Sequence, residues 1–350
     1  MSSGPYSLAR LGWRTFHSRQ LTLEDFDAAY PARVSSVHRS GLTVISERGT
    51  TAVSVPHRIT EVQAAGITVG DWVLVENEAP RVARLVQPHS VILRTAAGTE
   101  HRQQAIAANL DTLFVVTSCN EDFNPSRLER YLAVAFEAQV EPVILLTKAD
   151  LCGEVEQFVE QASMLSKGIA VAAVNAMDAA CAARLASWLQ VGQTVAFVGS
   201  SGVGKSTLVN TLTGASQATA GIREDDSKGR HTTTAREMFA LESGAWVIDT
   251  PGMRELKVGA VQTGLGSVFG NIESLAANCR FRDCQHESET GCAVLAAVAG
   301  GMLDARRLTS YRKLQREAAN AAMTIHERHA RERKFGRAVE SALRLKRHRE

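Results

Sequence analysis

Val195-Ala196-Phe197-Val198-Gly199-Ser200-Ser201-Gly202-Val203-Gly204-Lys205-Ser206-Thr207 is the stretch that decides the fold. Four apolar residues run into an octapeptide of the form G-x-x-x-x-G-K-[ST], and Thr207 to Leu212 then reads as a helix. Strand, glycine-rich loop and helix in that order suit one chemistry. The glycines let backbone N–H groups converge on phosphate oxygens, at a helix N-terminus whose dipole favours an anion. Lys205 is placed to reach the β and γ phosphates, and the Ser206 hydroxyl to hold Mg2+. A chance glycine-rich turn reproduces this pattern in roughly one in a hundred chains of this length, and the flanking strand and helix lower that figure.

Downstream, Asp249-Thr250-Pro251-Gly252 follows the apolar Trp246-Val247-Ile248. A carboxylate at that strand end suits the Mg2+ shell, and the Gly252 N–H a γ-phosphate. Between the two motifs lies Gly229-Arg230-His231-Thr232-Thr233-Thr234. A Thr hydroxyl there, Thr234 for preference, would close over Mg2+ only while the γ-phosphate is present, which makes a switch. Met253 follows Gly252, and a thioether cannot orient an attacking water. His231 is the candidate for that role, because an imidazole hydrogen-bonds water and titrates near neutrality. The plainer alternative is a surface histidine that only shapes the loop.

Upstream, Thr147-Lys148-Ala149-Asp150 follows the strand Val143-Ile144-Leu145-Leu146 and reads as a variant of the guanine motif N-K-x-D. The Asp150 carboxylate suits the N1–H and 2-amino group of guanine. Facing adenine it would be left unpaired, at a cost of about 1–3 kcal/mol. The Lys148 stem would lie along the base plane. Asn175-Ala176, after the strand ending at Val174, falls where a second base-contacting loop belongs, with Asn175 where Ser is expected. The expected nucleotide contacts are therefore Thr147 to Asp150, Asn175, Ala176, Gly199 to Thr207, Asp249 and Gly252. Here the base motif precedes the phosphate loop, the reverse of the usual order. A parallel sheet accommodates that as a circular permutation, since the same strands assemble from different termini.

Near-continuous apolar segments at Thr112 to Thr117, Pro142 to Leu146, Ile169 to Val174, Thr194 to Val198 and Trp246 to Ile248 alternate with amphipathic stretches. That is the pattern of a parallel sheet with crossover helices, placed here at residues 100–262. Before it, residues 32–95 carry five short alternating strands between turn residues such as Ser40-Gly41, Arg48-Gly49 and Gly70-Asp71. An OB-type barrel fits, and an SH3-like barrel fits nearly as well. Residues 1–31 form an extension without an assigned role. The opening Met1 to Trp13 has no apolar run of a secretory signal, so the cytoplasm is the expected location. The longest apolar run, Ala293 to Leu303, is about half the ~20 residues a membrane helix needs, which excludes a membrane role on this reading.

Three of the six cysteines, with one histidine, crowd into 14 residues: Cys279, Cys284, His286 and Cys292. Three thiolates and an imidazole are the closed donor set of a structural Zn2+ site. Cys119, Cys152 and Cys181 are isolated. Charge is uneven as well: residues 306–350 hold 14 Lys and Arg against 5 Glu, a net of +9, against −7 for the rest of the chain. The basic pairs Arg306-Arg307, Arg312-Lys313, Arg333-Lys334 and Lys346-Arg347, with few aromatics between them, suit phosphate contacts more than base readout. A solvated helical face is the alternative. Residues 263–350 are thus expected to form a mostly helical zinc-binding domain with a basic tail.

Taken in order, barrel, T-K-x-D, G-S-S-G-V-G-K-S, G-x-H-T-T-T, D-T-P-G and the Cys/Cys/His/Cys cluster resemble one family over about residues 32–298. These are the ribosome small-subunit-dependent GTPases, circularly permuted GTPases of bacterial small-subunit maturation. The resemblance implies an N-terminal OB barrel, a central permuted GTPase domain and a C-terminal zinc domain. It also implies a monomer with one Zn2+, using Mg2+ with GTP and GDP, that binds the small ribosomal subunit and its rRNA and hydrolyses GTP in response. Thr290 stands where the family's zinc loop more often has Pro. Two rivals are an ATP-using phosphate-loop enzyme, which Asp150 disfavours, and a zinc-stabilised RNA-binding protein holding GTP as a structural ligand.

Overall fold

The computed structural model describes residues 6–38, 40–62, 65–95, 103–214, 236–249 and 261–322. The barrel is built from β1 (Ala29–His38), β2 (Gly41–Ser46), β3 (Gly49–Val53), β4 (Trp72–Glu76) and β5 (Val82–Val86), with helix α3 (His57–Val62) between β3 and β4. β1 pairs antiparallel with both β2 and β4, β2 with β3, and β4 with β5. A parallel bridge from Ser54 to Arg81 closes the ring. A five-stranded barrel closed by one parallel contact is OB topology, which decides against the SH3-like alternative. Its interior is aliphatic, with Ala32, Val34, Leu42, Val44, Val53, Val73, Val75 and Val82 all buried. The alternation seen in the sequence is the inward and outward pleat of these strands.

β1 begins at Ala29, three residues before the expected barrel edge, and β6 (Val91–Thr95) does not pair with the barrel. It forms an antiparallel ribbon with β7 (Gln103–Ala108), which leads into the second domain.

The central part of the sheet runs β10 (Ala170–Ala173), β9 (Glu141–Thr147), β8 (Thr112–Ser118), β11 (Thr194–Val198), β13 (Trp246–Asp249) and β12 (Glu237–Ala240) in space, and β12 joins it to the barrel by pairing with β1. All neighbours are parallel except β12, which is antiparallel to β13. All seven residues of β8 are buried. Leu113 and Val115 face one core cluster, Phe114 and Val116 the other. Burial on both faces explains why these strands read as unbroken apolar runs. From the centre, the chain goes outward through β8, β9 and β10, returns to β11, and goes outward on the other side. The crevice between β8 and β11 is therefore the switch point at which open α/β sheets bind ligands, beyond the carboxyl ends of the strands.

The segment before the barrel does have a structural place. Leu11 is fully buried; Trp13 packs edge-on against Trp72 with centroids 4.8 Å apart, and Trp246 Nε1 donates to Arg10 O at 2.8 Å. The barrel's Arg33, itself buried, donates to Leu11 O at 2.6 Å and Asn109 O at 3.2 Å. His17 Nε2 meets Asn109 Oδ1 at 3.1 Å. Residues 6–18 thus lie between barrel and central sheet, and one polar network spans all three.

On the far side, α4 (Pro125–Glu137) starts on an Asn124 cap whose Oδ1 accepts from Arg127 N at 3.0 Å. It packs against α8 (Gln262–Ala276) and α10 (Ala305–Ala322), while α9 (Ala293–Ala299) follows the cysteine cluster. The C-terminal part is helical, as expected, and it shares the main hydrophobic core with the central sheet. Arg306 and Arg307, at the start of the supposed phosphate-binding tail, are turned inward instead. Both pair with the fully buried Glu129 of α4, at 3.1 and 3.0 Å. Arg312 and Arg316 both pair with Glu287. Of the cations expected to contact phosphate, Arg306 and Arg307 are therefore engaged with a buried acid, and Arg312 and Arg316 with an exposed one. Residues 323–350 lie outside the described residues. No helix among the described residues is long and apolar enough to cross a membrane.

Candidate functional site

Gly199 follows β11 so close to β8 that a Cβ there would lie 2.2 Å from Val116 O. No other residue fits that approach. Gly204 has φ +93° and directly precedes α7 (Lys205–Thr213), a left-handed conformation that L side chains disfavour. The loop between them is held in shape from within: Lys205 Nζ donates to Gly199 O at 2.9 Å and also to Ser200 O. Ser206 and Thr207 are exposed on the first turn of α7, at the positive end of the helix dipole.

Thr147 closes β9 and is fully buried. Its Oγ1 lies 2.5 Å from Val203 O in the phosphate loop and 3.1 Å from Thr117 O on β8. Lys148 takes a left-handed φ of 56°, and Ala149–Leu151 form a single 3-10 turn that leaves Asp150 exposed. Beyond β10, Asn175 Oδ1 accepts from Met177 N at 2.9 Å in a tight side-chain turn. Ala176 is buried beside the phosphate loop, 3.8 Å from where a Cβ on Gly204 would sit. Asp249 is the exposed last residue of β13. The expected residues on β9, β10, β11 and β13 therefore converge at the carboxyl ends of one sheet, around its switch point. His231, Thr234 and Gly252 lie outside the described residues.

One participant escaped the sequence reading. Thr211 Oγ1 donates to Ala176 O at 2.7 Å and so ties α7 to the second base loop. Its spacing of four from Thr207 puts the two on one helix face, a signal easily passed over in a polar helix.

The cysteine cluster forms a second centre, about the start of α9. The donor atoms of Cys279, Cys284, His286 and Cys292 all lie within 4.8 Å of one another. Cys279 Sγ is 3.8 Å from Cys292 Sγ, and His286 Nδ1 is 3.7 Å from the first and 3.4 Å from the second. A tetrahedral Zn2+ with Zn–S bonds of about 2.3 Å has S–S edges of about 3.8 Å, so the donor set fits the ion. Burial holds His286 below its ordinary pKa, which favours the neutral imidazole a ligand must be. Cys292 caps α9 by accepting from Leu295 N at 3.4 Å.

A sheet that keeps its spatial order while its chain order is rotated, with the nucleotide-facing loops gathered at one end, defines a circularly permuted GTPase. The family model "RsgA GTPase" matches residues 86–259. A second model, of ABC transporters, matches residues 184–337, a stretch that holds the phosphate loop but not Thr147 to Asp150. The chain is 50% identical over 337 residues to the small ribosomal subunit biogenesis GTPase RsgA 2 of Vibrio vulnificus, covering 96% of this chain and 95% of that one. It is also 50% identical over 315 residues to the RsgA of Mesorhizobium japonicum, covering 89% and 90%. The fold is shared with YjeQ from Thermotoga maritima, at a TM-score of 0.61 and 21% identity over 83% of this chain and 99% of that one. YloQ, described as a circularly permuted GTPase, gives a TM-score of 0.58 and 20% identity over 85% and 97%. The chain belongs to the RsgA family of GTPases.

Proposed function

We propose that this chain hydrolyses GTP as a nucleotide-switched factor in late maturation of the small ribosomal subunit. In this reading it engages the subunit and its rRNA in the GTP state and leaves after hydrolysis. The observation that carries the reading is the joining of base loop to phosphate loop at one crevice: Thr147 bonds Val203 O, with Asp150 three residues away on the base side. The naming of the 50%-identical relatives as small-subunit biogenesis GTPases supports the ribosomal partner.

The roles follow from chemistry. Asp150 accepts from guanine, Lys148 lies along it, and the N–H groups of Gly199 to Ser206 with Lys205 hold the phosphates. Mg2+ bound with the nucleotide would neutralise charge developing on the phosphates, and Ser206, Asp249 and Thr234 are the residues that would hold it. Cys279, Cys284, His286 and Cys292 would hold a Zn2+ ion, whose role there would be structural, fixing the loop between α8 and α9. The working units are the segment up to residue 28, a barrel at residues 29–86, a GTPase domain at residues 100–262 and a zinc-binding domain at residues 263–350, in a monomer acting in the cytoplasm.

His231 positions the attacking water. His231→Ala should lower turnover by about 100-fold while leaving nucleotide affinity within a factor of two. Unchanged turnover with the ribosomal partner present removes His231 from the mechanism. The function itself is tested by adding purified small subunits to the protein and measuring GTP hydrolysis: a rise is expected, and no rise overturns the ribosomal reading.

A further inference from the structure

Guanine offers two donors, N1–H and the 2-amino group, and two acceptors, O6 and N7. Asp150 can only accept, so it can read only the donors. Any contact to N7 needs a donor, and the first residue of the base loop is the natural place for it. That residue is Thr147, whose side chain owns a single proton. Its Oγ1 lies 2.5 Å from Val203 O and 3.1 Å from Thr117 O. Both neighbours are carbonyls that only accept, so the proton is consumed whichever takes it. The residue is fully buried, and its other branch is a methyl group. A carboxamide here would have two protons and the length to serve loop and base together; a threonine has neither. In the second base loop the Asn175 Oδ1 accepts from Met177 N, which holds its carboxamide in its own turn.

We infer that this chain recognises guanine without reading N7, and that Thr147 is a positioning residue joining base loop to phosphate loop. The inference rests on the GTP function proposed for this site. Specificity then depends on the donor edge facing Asp150 together with O6. Thr147 affects affinity through the shape of the pocket, so its loss weakens every guanine nucleotide by the same factor.

The test is equilibrium competition on the full chain against a fluorescent GDP analogue, with GDP, 7-deaza-GDP, inosine diphosphate and ADP as competitors. 7-Deaza-GDP, which has carbon in place of N7, should bind within about fivefold of GDP. Inosine diphosphate, which lacks the 2-amino group, should bind at least about tenfold more weakly. A loss of more than about fivefold for 7-deaza-GDP overturns the inference. Thr147→Val should weaken GDP and 7-deaza-GDP equally; a loss confined to GDP would also overturn it. The wild-type comparison decides the matter even where that variant does not fold. ADP binding as tightly as GDP would instead remove the guanine reading of Asp150, so the two failures are distinguishable.

Discussion

Replacing Glu129 by Gln should loosen α10 from the GTPase body. The carboxylate is fully buried in α4 and accepts from Arg306 Nη1 and Nη2, at 3.1 and 3.2 Å, and from Arg307 Nη1 at 3.0 Å. Removing one partner of a buried ion pair costs about 3–5 kcal/mol, because the remaining charge is left uncompensated. Arg307 keeps two carbonyl acceptors, Val268 O at 2.7 Å and Leu165 O at 3.0 Å, and the Arg306 side chain is 37% exposed. Those two facts place the cost at the lower end, about 3 kcal/mol. At about 1.4 kcal/mol per tenfold, that is a rise of roughly 100- to 200-fold in the opening of α10. Amide hydrogen exchange over residues 305–322 reads it directly. Acceleration should be confined to α10 and the parts of α8 and α4 it touches, while β8 and β11 keep their protection. Acceleration below about threefold would refute the reasoning. So would an equal loss across the central sheet, which would mean that Glu129 holds the whole body and not the C-terminal helices.

Cys284→Ala should lose stoichiometric zinc and the protease resistance of residues 279–299 while GDP still binds, because metal binding in such a module is folding free energy; metal analysis with limited proteolysis checks both. Ending the chain at Ala322 keeps the inward-facing arginines of α10 but removes nine Lys and Arg against four Glu, so affinity for small subunits should drop and its salt dependence flatten, as titrations at several salt concentrations would show. Burial raises the Asp71 pKa to about 7, with Arg33 opposing, so the folded state holds a proton that the unfolded state has released. Stability from this group is present at low pH and lost as pH rises toward 7. His17 is lowered to about 4 by burial, so its own contribution rises with pH between about 4 and 6.5 and opposes that of Asp71. Asp71→Asn leaves His17 in place, and its stability relative to wild type should improve by about 2 kcal/mol between pH 5 and 7 in denaturant melts.

The parts legible in the sequence were those whose physics is local. Gly199 and Gly204 mark a backbone path that only glycine follows, so strand, loop and helix could be read from a dozen residues. The barrel declared itself by alternation, and the metal cluster by donor type within 14 residues. What escaped depends on partners distant in the chain. Leu11 and Trp13 are single apolar residues without periodicity, and they gain meaning only against Trp72 and Trp246. Arg306 and Arg307 look like a surface charge run because their acid, Glu129, lies far upstream. Val91–Thr95 falls inside the expected barrel at residues 32–95 and pairs instead with Gln103–Ala108, since sequence pattern does not name a strand's neighbour. Thr147 is expected among the nucleotide contacts, and the bond from its Oγ1 to Val203 O is a link between two loops that the tetrapeptide alone does not announce.

The rotated chain order has a consequence for synthesis. β8, buried on both faces in the finished sheet, is complete at Ser118, while its central partner β11 begins only at Thr194. At about 5–20 residues per second, the strand waits roughly 4–15 s for that partner to leave the ribosome. During this interval its edge presents an unpaired row of N–H and C=O groups with apolar side chains on either face, the kind of template that recruits foreign strands. The half that carries Thr147 and Asp150 must therefore be sheltered before the half that carries Gly199 to Ser206 exists, and the bond from Thr147 to Val203 forms only once that residue has emerged.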